Sequence, residues 1–180
     1  MTRSHQSDMT RFIRASPYAC QRAAFKFALN NFGVTDDTNL ASPGIALLVE
    51  MGTGKSLIAI AIIGALCFCK RIRRVLIVAP LSILGVWKDE FAKFATYEYD
   101  MTILTGSTAQ KAGVLAAMTY PTLNIAVLNY ESTRRLEQDI VAWKANMIIA
   151  DEAHKIKTHN TAAAKAMRRI GAHTRSIVSC

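Results

Sequence analysis

The stretch LLVEMGTGKS, residues 47–56, places an apolar run directly before two glycines, a lysine and a serine. This order predicts a β-strand, then a glycine-rich loop, then a helix that runs from Lys55 to about Cys69. Gly52 and Gly54 let the backbone N–H groups of such a loop turn inward around an anion, because glycine has no Cβ to obstruct them. The first turn of the helix presents the positive end of its dipole to the same anion.

The residues that follow the loop suit a phosphate group and a metal ion. Together with Thr53 and Gly54, Lys55 is placed to bind phosphate, and the hydroxyl of Ser56 to bind Mg²⁺. Val49 stands where the usual pattern has a glycine, so a plain strand-to-helix turn is the alternative interpretation.

A second stretch, MIIADEAH at residues 147–154, ends an apolar run in two carboxylates. If the run is a strand of an open α/β sheet, Asp151 and Glu152 lie at its carboxyl end, where such sheets bind ligands. We assign Asp151 to Mg²⁺ and Glu152 to the orientation and deprotonation of an attacking water, the two tasks that phosphoryl transfer requires. The alternative is that the acids only open a helix, whose first turn favours negative charge.

Length and charge limit the possible classes of protein. A chain of 180 residues fits one domain with a full core. The formal charge of +9 suits a polyanionic partner, although it is also explained by solubility. The long uncharged stretch, residues 56–69, is shorter than the roughly 20 residues that span a bilayer, and we expect a buried helix.

Four cysteines occur without the spacing of a metal site. Cys67 and Cys69 point to different sides of a helix, and Cys20 and Cys180 stand apart in the sequence. Reduced thiols in a cytoplasmic or nucleoid-associated protein are therefore expected.

Residues 1–16 are mostly polar and basic, and we expect a mobile tail there.

Strands and helices alternate along the rest of the chain. Residues 17–31 predict a helix with Gln21 in its first turn, where a carboxamide suits an adenine edge. The runs VLIVAP, MTILTGS, LNIAVLNYES, MIIADEAH and RSIVS each predict a strand, and all but the last lead into a helix. Such alternation predicts an α/β fold of three layers, with a mostly parallel sheet between helices.

Three further groups of residues bear on nucleic-acid binding, and the first two have an alternative explanation. The basic run KRIRR, residues 70–74, suits either a solvated helix end or a nucleic-acid patch. Aromatic residues at 87, 91 and 94 favour a core face over a stacking platform. Pro80 and Ser82 follow a strand end, where a loop can hold a backbone phosphate.

In this order, the motifs resemble the first motor lobe of superfamily 2 helicases, and most closely the Swi/Snf-type DNA translocases. PYACQ is similar to the family's adenine-reading motif, LLVEMGTGKS to its phosphate loop, VLIVAPLSILGVWKDEF to its next motif, LNYES to a nucleic-acid-side motif and IIADEAHKIK to its metal-and-water motif. The resemblance covers nearly the whole chain and implies a RecA-like lobe over residues 17–180 that uses ATP and Mg²⁺.

The resemblance also implies roles for individual residues. Gln21 would read adenine, and Lys55, Ser56, Asp151 and Glu152 would keep the roles given above. His154 would couple the nucleotide to the nucleic-acid side. The residues bordering the nucleic acid, which we expect to be DNA, would be Pro80, Ser82, Asn129 and Tyr130.

The sequence departs from the family at Asn129, where threonine is common, and at Cys180, which takes the place of a glycine. The family's second lobe, with its arginine fingers, is absent from these 180 residues. We therefore expect the chain alone to bind ATP but to turn it over at nearly the background rate. Two other classes stay open, namely an unrelated phosphate-loop enzyme such as a small kinase and a catalytically silent binding module on the same fold.

Overall fold

The strands of the computed structural model form one sheet, and the helices lie on both of its faces. The structure describes residues 8–35, 42, 44–47, 53–119, 121–153, 162–171 and 174–179. The strands in these residues are β1 (Gly44–Leu47), β2 (Arg74–Ala79), β3 (Tyr99–Ile103), β4 (Leu123–Asn129), β5 (Met147–Ala150) and β6 (Arg175–Ser179). The helices are α1 (Ala19–Asn31), α2 (Lys55–Phe68), α3 (Leu84–Phe94), α4 (Thr108–Ala117), α5 (Tyr130–Arg135), α6 (Glu137–Trp143) and α7 (Ala162–Gly171).

All pairs in this six-stranded sheet are parallel, in the order β1-β6-β5-β2-β4-β3. The central strands β2, β4 and β5 are apolar almost throughout, as parallel strands covered on both faces must be. The predicted α/β class and parallel sheet are confirmed. Parallel pairing also brings the carboxyl ends of these strands to one edge, called here the carboxyl edge, and their amino ends to the opposite amino edge.

Two apolar cores lie on the two faces of the sheet. Along β2, Val75 and Ile77 belong to the core that contains α1, α2 and α3, whereas Leu76 and Val78 belong to the core that contains residues of α4, α6 and α7. Successive side chains of a strand point to opposite faces, so one apolar strand supplies both cores. The predicted three layers are therefore present.

Residues 8–16 correct the expectation of a mobile tail. Met9, Phe12 and Ile13 are each at most 3% exposed and belong to the core beside α2. Asp8 caps a 3₁₀ turn by accepting a hydrogen bond from the Thr10 N–H at 3.0 Å. The apolar side chains of this short segment pack into the core, and the segment's mostly polar composition does not indicate this burial. Residues 1–7 lie outside the described residues.

The apolar helix α2 is a core element. Within the described residues, no helix is long and apolar enough to cross a membrane.

Cys20, Cys67 and Cys69 are free thiols, and Cys180 lies outside the described residues. Burial raises the pKa of Cys67 and of Cys69, so both thiols stay protonated at neutral pH.

Gly64 in α2 allows Tyr97 to pack against the helix. The Tyr97 hydroxyl donates to the Ile60 carbonyl at 2.8 Å, and a Cβ added at Gly64 would lie 2.7 Å from Tyr97 Cδ1. We predict that Gly64→Ala lowers the free energy of unfolding, because overpacking costs about 1–3 kcal/mol and exceeds the ~0.5–1 kcal/mol that alanine contributes in a helix.

Urea unfolding measures this change, and Gly113→Ala is the matched control. Gly113 lies in α4, and apart from its chain neighbours and the nearby backbone of its own helix no atom lies within 4 Å of an added Cβ, so that variant should be neutral or more stable. Equal stabilities for the two variants would show that close packing of Tyr97 against Gly64 does not contribute to stability.

Candidate functional site

Residues 53–56 of the GTGKS segment (residues 52–56) turn sharply into α2. Gly54 has a φ of 77°, in the left-handed region, and is the N-cap of the helix that Lys55 begins. A Cβ at Gly54 would lie 2.7 Å from Gln21 Nε2. Both the backbone conformation and the close approach require glycine at this position. Gly52 lies outside the described residues.

Gln21 connects α1 to the GTGKS segment. Its side chain is 4% exposed, and its Oε1 accepts a hydrogen bond from the Tyr18 N–H at 2.8 Å. Its Nε2 donates to the Thr53 carbonyl at 2.8 Å. The structure thus brings Gln21 to the predicted phosphate loop, while its part in reading adenine stays a prediction.

Ser56 lies in the first turn of α2 and contacts α3. Its hydroxyl donates to Glu90 Oε2 at 3.0 Å, and both residues are half-buried. The bond uses the hydroxyl proton and leaves the oxygen lone pairs to accept.

Asp151 follows β5 at the carboxyl edge, and hydrogen bonds hold both of its carboxylate oxygens. Oδ2 accepts from Trp87 Nε1 at 3.0 Å, and Oδ1 accepts from the Glu152 N–H at 3.0 Å. The Asp151 N–H donates to the Val78 carbonyl at 2.9 Å, which joins the residue to β2. Glu152 has a φ of 49°, which few non-glycine residues adopt, and the chain turns there directly after the strand.

Helix α3 contacts residues of both motifs. Trp87 and Glu90 are three positions apart and therefore share one helix face. Trp87 contacts Asp151, and Glu90 contacts Ser56. Sequence reasoning missed both roles. Trp87 is 3% exposed, so its interpretation as a core residue is confirmed, but a buried indole N–H needs an acceptor, and that need was the available signal.

The four residues expected beside nucleic acid lie at or just after the carboxyl ends of the neighbouring strands β2 and β4. Ala79 of β2 pairs with Asn129 of β4, so Pro80 and Tyr130 are the next residues on adjacent strands. Ser82 is exposed in the 3₁₀ turn Leu81–Ile83, and Pro80 is buried. The four residues are thus brought together, and their contact with nucleic acid stays a prediction.

Two of these residues already have partners within the fold. Tyr130 is 8% exposed, and its hydroxyl donates to the Asp151 carbonyl at 2.7 Å, so its ring has little surface for another molecule. Asn129 Oδ1 accepts from Ser132, whose oxygen also accepts from Lys111 Nζ at 2.7 Å. Tyr130 thus links the end of β4 to Asp151, a role that its position in the sequence does not indicate. His154 lies outside the described residues.

Comparisons with known proteins agree with this fold. Among solved structures, the chain is similar to the Sulfolobus solfataricus SWI2/SNF2 ATPase core in complex with dsDNA, with a TM-score of 0.70 and 23% identity. The match covers 93% of this chain and 32% of that one, and it shows that the two share a RecA-like fold.

Two curated relatives have similar sequences. The chain is 30% identical over 142 residues to the DNA repair and recombination protein RAD54B of Gallus gallus, covering 76% of this chain. It is 29% identical over 134 residues to the ISWI chromatin-remodeling complex ATPase ISW2 of Saccharomyces cerevisiae, covering 72% of this chain. These alignments span only 15% and 12% of the relatives.

The match to a protein family is broader than either of these alignments. The family model of the SNF2-related domain matches residues 18–180, which includes every described element from α1 to β6. The chain therefore belongs to the SNF2-related domain family.

Proposed function

We propose that residues 17–180 are the ATP-binding lobe of an ATP-dependent DNA helicase or translocase, which couples Mg-ATP hydrolysis to movement on nucleic acid together with a second lobe. The observation that carries this proposal is the convergence of two motifs on α3. Glu90 accepts from Ser56 of the GTGKS segment, and Trp87 donates to Asp151 at the end of β5.

The residues in this region suit a nucleoside triphosphate and a divalent cation. Gly54, in its left-handed conformation, brings the start of α2 to the place where a phosphate would accept from backbone N–H groups. Lys55 would bind the phosphate oxygens, and Gln21 would face the adenine. Ser56 and Asp151 offer hydroxyl and carboxylate oxygens, the ligands that Mg²⁺ prefers.

The carboxylates have separate tasks in this proposal. The bonds from the Trp87 indole and the Glu152 N–H restrict the rotation of the Asp151 side chain, so its oxygens keep one orientation. Glu152 would hold the attacking water and take its proton. Mg²⁺, when bound, supplies positive charge against the phosphates. The chain's contribution is therefore mainly positioning.

The carboxyl ends of β2 and β4 would face the nucleic acid. The related structure holds double-stranded DNA, and relatives are named for DNA repair and recombination, which favours DNA as the partner. Ser82 is exposed at this edge. The Tyr130 hydroxyl donates to the Asp151 carbonyl at 2.7 Å, and this hydrogen bond would connect DNA contact to the nucleotide chemistry.

The first test is nucleotide binding by the chain and by Lys55→Ala. The substitution removes a charge-assisted contact to phosphate, so calorimetry should show at least about a tenfold loss of Mg-ATP affinity. Lys26→Ala is the matched control, because Lys26 is an exposed lysine on α1 and its loss should leave the affinity unchanged. Equal affinities for Lys55→Ala and Lys26→Ala would refute the proposed site.

The second test concerns Trp87. In Trp87→Phe the aromatic packing is largely retained, but Asp151 Oδ2 loses its indole donor. Loss of a group that orients a metal ligand typically costs 10–100-fold in metal affinity, so we predict that about ten times more Mg²⁺ is needed for half-maximal ATP binding.

Trp143→Phe is the control, since its indole N–H donates to the Met118 carbonyl at 3.2 Å in the other core. ATP affinity in a chelator should be the same for both variants. If Trp87→Phe keeps the Mg²⁺ dependence of the control, the indole does not orient the proposed metal ligand.

A further inference from the structure

A basic pocket lies at the amino edge of the sheet, away from the candidate site. It has a volume of about 510 Å³. The run KRIRR, residues 70–74, forms one side of it. The remaining lining residues are Thr119, Pro121, Asn124 and Asn146. Among the described residues, the lining includes no aspartate or glutamate, so its four cationic residues have no acid beside them in the pocket.

These cations are not needed to cap α2. Backbone N–H groups satisfy the carbonyls at its carboxyl end: Cys69 donates to Ala65 at 3.0 Å, Lys70 to Cys67 at 2.8 Å and Arg71 to Leu66 at 2.9 Å. Of the two explanations for the basic run, a helix end therefore accounts for its backbone but not for its side chains.

The arginine side chains are positioned by neutral groups. Arg71 donates to the Gly33 carbonyl at 3.2 Å, Arg73 to the Pro121 carbonyl at 3.4 Å and Arg74 to the Trp143 carbonyl at 2.9 Å. A carbonyl orients a guanidinium without neutralising its charge, and each guanidinium has five N–H donors. The backbone beneath them is also held, since Asn146 Oδ1 accepts from the N–H groups of residues 73 and 74 at 2.8 and 3.0 Å.

We propose that this pocket binds the phosphate backbone of a nucleic acid, as a second contact at the edge of the sheet opposite the candidate site. Arginine and lysine side chains, rather than apolar or acidic groups, are what phosphate oxygens require, and arginine bonds them through two N–H groups. The proposal does not rest on nucleotide binding.

The length of the strands determines which nucleic acid can reach the pocket. β2 has six residues, which at about 3.3 Å each separate the two edges by roughly 20 Å. A straight duplex that lies along the carboxyl edge cannot also enter the pocket. The occupant is therefore a second segment of nucleic acid, or the same molecule bent around the lobe.

Lysine acetylation of the unaltered chain tests this contact first. A duplex of about 20 base pairs at low salt, where phosphate contacts are strongest, should protect Lys70 from acetylation and leave Lys26 on α1 reactive. If the duplex fails to protect Lys70, the proposal is wrong. If inorganic phosphate at equal ionic strength protects Lys70 and the duplex does not, the pocket takes small anions and the proposal is also wrong.

Salt dependence tests the same contact by substitution. In Lys70→Gln combined with Arg73→Gln, the slope of log affinity for the duplex against log salt should be shallower by about 2, equally for duplexes of different sequence. Lys26→Gln combined with Lys165→Gln removes the same charge from exposed positions on α1 and α7 and is the control. Equal slopes for the two double variants would overturn the proposal.

Mg-ATP affinity, measured on the same samples, separates this proposal from the proposed function. Unchanged ATP binding with a shallower salt slope supports the pocket as an independent site. A chain that binds no ATP but still shows protection of Lys70 would refute the proposed function and leave the pocket's role supported.

Discussion

Parallel pairing of the described strands determines where the chemistry of this fold can lie. Because β2, β4 and β5 run in one direction, the residues that follow them meet at the carboxyl edge. The backbone bond from Asp151 to the Val78 carbonyl joins two of these ends directly. Residues that are distant in the sequence thus become neighbours without any loop having to reach across the domain.

Helix α3 fixes the positions of these neighbouring residues relative to one another. A helix face repeats every three or four residues, so Trp87 and Glu90 contact Asp151 and Ser56 at the same time. The fully buried Phe91 packs in the same core and anchors the helix against the sheet. A displacement of α3 would therefore disturb both contacts together, and Tyr130 extends the connection to the end of β4.

Local pattern was enough to predict most of the elements, because the apolar runs at β2, β4 and β5 and the glycine before α2 each indicate a strand or a helix start. It was not enough where the partner is remote in sequence. The burial of Phe12 depends on Gly64 and Phe68 of α2, and the role of Trp87 depends on Asp151. The local sequence around a short polar segment or a core aromatic does not indicate such distant partners. The packing of residues 8–16 in the core and the hydrogen bond from Trp87 to Asp151 could therefore be found only from the structure.

The position of β1 has a consequence for biogenesis. Its described ladder partner is β6, so the strand that leads into the GTGKS segment pairs with residues 176–179 near the other end of the described chain. Contacts between such distant segments form late, because closing a long loop costs entropy before the contact repays it. During synthesis on the ribosome, β1 cannot pair until β6 has been synthesised. A nascent chain that stalls between the two strands would expose an unpaired strand edge, which chaperones could bind or which could aggregate.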